Sequence, residues 1–206
     1  MTHPSRSVAA APGVIAAIRH AIGPIHRRLE ETTLAQALFH GTVDGRIYRQ
    51  LLVELTALHV VIDGWRAQDP DLWSMFGDPP LRGEALAADR RALGVADGAE
   101  VRFPALAATF TALGSTREGR AGVLFVTEGS RQGSRLLRDP VARALGIPVA
   151  PGQGLDYHLQ APDPQAWPLT IRRLDTHPWP APATLVNGAV EAMELLFQLY
   201  TADLQP

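Results

Sequence analysis

The sequence predicts an all-α, single-domain helical bundle. Three observations carry this. Apolar residues recur at helical spacing along nearly the whole chain, no pair of alternating segments flanks a hairpin turn, and the glycines and prolines that break helices gather in a few short clusters. With 206 residues, 46% of them hydrophobic, the chain has apolar surface for one sizeable core and no linker long enough to divide it.

Residues 1–12 read as a loosely ordered N-terminus. The apolar run from Val8 to Ile18 is interrupted by Pro12-Gly13 and leads straight into an amphipathic pattern, which makes it a poor signal peptide. Ile15, Ile18, Ile22, Ile25 and Leu29 then mark the first helix. Pro24 cannot donate to the carbonyl of His20, so this helix is expected to kink or restart there. Tyr48, Leu51, Leu52, Leu55, Leu58, Ile62 and Trp65 form the stripe of a long second helix, capped by Asp44.

Gly77-Asp78-Pro79-Pro80 ends that region, and shorter helices are expected at about 81–93 and 103–113. The segment from Arg120 to Leu137 reads as helix despite its internal glycines. A Gly/Pro loop over 146–154 follows, then a helix at about 164–175 and a breaker cluster from Pro178 to Pro182. Val186, Ala189, Val190, Met193, Leu196, Phe197 and Tyr200 form the stripe of the last helix.

Composition excludes several function classes. The formal net charge is −2, which gives no basic surface for nucleic acid or an anionic membrane. With no cysteine there is neither a disulfide nor a thiolate site. Every basic residue is arginine, which fits a compositional bias of the genome. No apolar stretch approaches the roughly 20 residues that span a bilayer, so a cytoplasmic protein is expected.

Two features carry chemistry. The first is Glu128-Gly129-Ser130-Arg131-Gln132-Gly133-Ser134. Gly in a helix interior costs about 1 kcal/mol relative to Ala, and here the cost falls twice in five residues. Gly129, Ser130, Gly133 and Ser134 strip one face to backbone, which suits either a closely packed helix or a planar ligand. The second feature is the line of Arg19, His26 and Glu30 on the first helix. Steps of seven and four return to nearly the same face. A neutral imidazole can ligate a metal through one nitrogen while a carboxylate one turn away holds the other. The plainer alternative is a surface His with an i,i+4 Glu.

Taken together, Ile18 to Glu30, Gly122 to Gly133 and the helix from Asp44 to Trp65 resemble the bacterial biliverdin-producing haem oxygenases, including those that accompany bacteriophytochromes. The resemblance spans nearly the whole chain in order and length. It implies haem held between the first helix and the Gly-rich helix. His26 would be the axial ligand to iron, Glu30 would hold its other ring nitrogen, and Arg19 would face a propionate. Phe125 would lie in the cofactor site. Gly129, Ser130 and Gly133 would form the catalytic distal face, with the glycines letting backbone lie close over the porphyrin. The reaction implied is oxygen- and reductant-dependent cleavage of haem to biliverdin, carbon monoxide and iron. Electrons would come from an external donor of ferredoxin or reductase type, and a bacteriophytochrome is a possible acceptor of biliverdin.

The chain departs from the family pattern in places. Ile22 stands where the family often has Thr, and Phe125 where many bacterial members have Tyr. The second propionate partner is open, with Arg172 and Arg173 as candidates beside a plain surface role. These departures leave room for a non-catalytic haem binder or sensor, and the glycines alone would also fit a helical interaction module. His59 reads as a hydrogen-bonded core histidine, and the tryptophans as core or helix-end packing. Tyr157-His158 has no assigned role. No Glu-x-x-His occurs, against a ferritin-like di-iron bundle, and no spacing of His20, His40, His158 and His177 suggests zinc.

Overall fold

The computed structural model describes residues 13–160 and 165–202. The expectation for residues 1–12 lies outside them. The described residues form ten helices: α1 (Val14–Glu30), α2 (Thr33–His40), α3 (Gly45–Gln68), α4 (Pro70–Met75), α5 (Arg82–Ala92), α6 (Pro104–Leu113), α7 (Arg117–Leu145), α8 (Asp156–Leu159), α9 (Ala166–Thr176) and α10 (Pro182–Thr201). Among the described residues there is no strand. One hydrophobic core runs through them, from Ile15 on α1 to Leu199 on α10.

Several helix ends are set by local capping. Asp44 accepts from Arg46 N at 2.7 Å at the start of α3, and Thr116 caps α7 through Gly119 N at 3.0 Å. Gly41 and Gly146 close α2 and α7 at φ of 69° and 65°, a conformation in which a Cβ would be strained. The predicted stripe of α3 is buried at every position from Tyr48 to Trp65. On α1, Ile15, Ile18, Ile22 and Ile25 are buried as expected.

Two expectations are corrected. α1 continues through Pro24 and does not restart there. His20 and Pro24 both lie on the exposed side, where water can take the carbonyl that loses its donor. On α10 the buried residues are Leu185, Gly188, Ala189, Ala192, Met193, Leu195 and Leu199, a face turned from the predicted stripe. The reason is that α10 packs against both α1 and α7, and its closest approach is made by small residues that carry little hydrophobic signal. A Cβ added to Gly122 of α7 would lie 2.6 Å from Ala189 N and 2.9 Å from Gly188 C. One on Gly188 would lie 2.8 Å from Gly119 O. Close helix–helix packing therefore belongs to Gly119, Gly122 and Gly188, not to Gly129 and Gly133.

Candidate functional site: a slot between the first and seventh helices

Beyond the Gly122 seam, α1 and α7 are separated by a slot with two connected lobes. The inner lobe has a volume of about 380 Å³ and the outer about 270 Å³. His26, Leu29, Leu55, Gly129, Ser130, Tyr157 and Tyr200 border both. The Arg19–His26–Glu30 line survives Pro24 and runs along the slot, with Arg19 at the outer lobe, His26 at both and Glu30 at the inner. His26 Nδ1 lies 3.5 Å from Glu30 Oε1, and both side chains are about half exposed, at 51% and 47%. That contact leaves Nε2 of His26 as the nitrogen available to a ligand.

The opposite wall is the Gly-rich turn of α7. A Cβ on Gly133 would meet nothing within 4 Å, so this glycine faces open space. A Cβ on Gly129 would touch the edge of Trp167, at 3.4 Å from Cζ2. The Trp167 indole in turn packs on the Phe125 ring at 5.5 Å between centroids, and Phe125 lines the outer lobe. Trp167 thus shapes the wall beside the expected site as well as packing a helix end. Ser130 borders both lobes, but its hydroxyl donates to Thr127 O at 2.7 Å. Of its neighbours in the motif, Glu128 and Arg131 are buried and pair with each other at 2.6 Å. Arg131 Nη2 also donates to Gln160 O at 2.6 Å, and so ties α7 to the end of α8. The motif divides its labour: the small residues line the slot and the charged ones brace the wall.

Met193, Leu196 and Tyr200 of α10 complete the outer lobe. These belong to the predicted stripe of α10. Leu196 and Tyr200 are only partly buried because the slot, not protein, lies against them.

Sequence reasoning missed α8. This short helix brings Tyr157 to both lobes and His158 to the inner one. It is held by α5. Asp89, fully buried, accepts from Asp156 N at 2.6 Å and Tyr157 N at 2.9 Å. Arg82, 2% exposed, lays its guanidinium 3.8 Å from the Tyr157 ring centroid and donates to Thr127 O at 3.3 Å. Burial raises the Asp89 carboxyl to about 6, against the lowering by its two backbone donors. Burial, reinforced by the Arg82 charge, lowers His158 to about 3 and keeps the imidazole neutral. The one sequence signal for α8 was the Gly/Pro loop before it, and that loop does not say where its far end lands.

Other candidates fall away from the slot. His59 is buried but does not border either lobe. Its Nδ1 has no hydrogen-bond partner, contrary to expectation; the nearest carboxylate oxygen, of Asp63, is 4.0 Å away. Burial pushes its pKa well below the ordinary range, with Arg82 and Arg131 adding to the effect. Arg173 donates to Ser74 O at 3.2 Å, and neither it nor Arg172 borders the slot. Arg19 is therefore the arginine lining it. Among the described residues no cluster of three or more His, Asp or Glu side chains is placed to hold a metal ion by itself, and no helix is long and apolar enough to cross a membrane.

No family model and no curated protein matches the sequence. Solved structures do match. The chain is similar to haem oxygenase-1 of the cyanobacterium Synechocystis in complex with haem, with a TM-score of 0.77 and 15% identity over 92% of this chain and 91% of that one. The fold is that of the haem oxygenases. Haem oxygenase from Leptospira interrogans has a TM-score of 0.77 at 14% identity, covering 92% of this chain and 99% of its own. Haem oxygenase-2 of Synechocystis, in complex with haem and NO, has a TM-score of 0.74 at 18% identity, covering 92% and 84%. At these identities the likeness establishes the haem oxygenase fold, while the chemistry has to be argued from the slot itself.

Proposed function

We propose that the slot binds haem and that the protein cleaves it, with oxygen and an external reductant, to biliverdin, carbon monoxide and iron. The observation that carries this reading is the pairing of walls across one slot. His26, oriented by Glu30, stands on one side. Gly133, with open space where its side chain would be, stands on the other. A haem can use both, an imidazole as a ligand for its iron and a wall without side chains against its face.

When bound, haem supplies the iron at which dioxygen is reduced and the meso carbon that is oxidised. The residues do the rest. His26 Nε2 would ligate the iron, and Glu30 would hold the ring in the orientation that presents it. Arg19, which lines the outer lobe, is the proposed propionate partner. Ile22, Phe125, Met193 and Leu196 give the outer lobe an apolar lining that excludes water from the macrocycle. Gly129 and Gly133 would let the backbone of α7 lie close to the macrocycle. Electrons would come from a ferredoxin- or reductase-type donor, and a bacteriophytochrome is the proposed taker of biliverdin where one is present.

Haem titration tests binding: a Soret shift at micromolar protein is expected, and its absence refutes the proposal. Turnover is tested by adding a reductant in air and following loss of the Soret band with growth of biliverdin absorbance. One observation favours a second reading, a haem binder or sensor that does not cleave its ligand. The Ser130 hydroxyl is already donating to the Thr127 carbonyl, so it is not free to donate across the slot. A Soret band that persists under reductant and air, without biliverdin, selects that reading.

A further inference from the structure

The inner wall carries a polar group for which the proposed function has no use so far. His158 is 5% exposed and borders the inner lobe. Its ring stacks with Tyr48 at 6.2 Å between centroids and meets Tyr157 edge-on at 5.3 Å. Nδ1 is buried without a partner. Nε2 is the ring nitrogen left to reach the lobe. A neutral imidazole carries one N–H, and a buried N–H without an acceptor is rarer and costlier than a bare lone pair. The proton therefore belongs on Nε2, and Nδ1 is the bare nitrogen.

We propose that His158 is a hydrogen-bond donor of this slot, presenting Nε2–H to a small polar or anionic ligand in the inner lobe. This rests on the haem reading for the identity of what lies beside that ligand. Three features fit the role. Ser130 bonds to its own helix, leaving the distal side without its expected donor. α8 is positioned by two buried groups of α5, the Asp89 carboxylate on its backbone and the Arg82 guanidinium on the Tyr157 ring. The same Arg82 charge, with burial, opposes protonation of the imidazole and so keeps it neutral, with one N–H and one bare nitrogen. The ligand class is one that accepts a hydrogen bond; carbon monoxide, a poor acceptor, lies outside it.

The test compares haem-loaded wild type, His158→Phe and His158→Gln for azide binding to the ferric protein and carbon monoxide binding to the ferrous one. Loss of one net hydrogen bond predicts azide affinity on the order of fivefold weaker in His158→Phe. Carbon monoxide affinity should stay within about twofold, and His158→Gln, which keeps an N–H donor, should stay within about twofold of wild type for azide. Unchanged azide affinity in His158→Phe, or equal losses for azide and carbon monoxide, overturns the assignment. A second measurement needs neither variant nor haem. Imidazole ¹⁵N shifts in the ligand-free protein should report an Nε2–H tautomer for His158 that persists to about pH 5. An Nδ1–H tautomer or a charged ring at that pH overturns the assignment. Wild-type protein that takes up no haem refutes the haem reading instead, and the tautomer measurement still judges His158.

Discussion

Gly133→Ala separates what this residue does for the fold from what it does for the slot. The glycine sits inside α7 with no positive φ, so alanine fits the backbone. Its Cβ would meet nothing within 4 Å. Helix propensity then predicts a gain of about 0.8–1 kcal/mol in the stability of the ligand-free protein. For a chain of this size that is roughly 2–4 °C in Tm. Haem binding should move the other way. The added methyl occupies the surface on which the macrocycle is proposed to lie, and overpacking of a fitted contact costs about 1–3 kcal/mol. That is roughly a fivefold to hundredfold rise in the haem Kd. The assays are thermal melting of the ligand-free protein and a haem titration of the same samples. A lowered Tm would mean that Gly133 does not face open space. A raised Tm with unchanged haem affinity would mean that haem does not lie against it.

The remaining predictions use other parts of the same frame. Gly122→Ala puts a Cβ 2.6 Å from Ala189 N, backbone that cannot rotate away, and urea unfolding should show a loss of about 1–3 kcal/mol or more. His26→Ala should leave stability within about 0.5 kcal/mol, because the side chain is half exposed, while removing the axial-imidazole signature from the haem spectrum. An unchanged spectrum would place the ligand elsewhere. Asp89 predicts a pH dependence. Its folded carboxyl, raised to about 6 from 3.8, binds a proton more readily than the unfolded one. Its contribution is therefore full below about pH 3.8 and lost as pH rises through about 6. Urea unfolding from pH 4 to 7 should give a more negative slope in wild type than in Asp89→Asn, the buried histidines contributing equally to both, and equal slopes would refute the assignment.

Much of this protein was legible as periodicity. The α1 and α3 stripes are local patterns, and a helix presents them the same way whatever packs against it. The two halves of the candidate slot were also legible, because glycine inside a helix and a carboxylate four residues from a histidine are costly or specific choices at short range. Three things were not. The short helices α2, α4 and α8 carry too few residues for a period to register. The buried face of α10 was displaced because Gly188, at its closest approach to α7, adds almost nothing to a hydrophobic pattern. The role of Tyr157 and His158 was invisible, because it depends on Asp89 and Arg82, 68 and 75 positions earlier, holding α8 against the slot.

The sequence by itself determined the helical class, the seven-residue motif and the Arg19–His26–Glu30 line, since these depend on bonds and neighbours within a few turns. Only the tertiary structure decided which glycines pack helices and which face a cavity. The chemistry of Gly122 and Gly133 is identical. One meets the backbone of α10 and the other meets open space, and that difference lies in what the rest of the chain brings alongside.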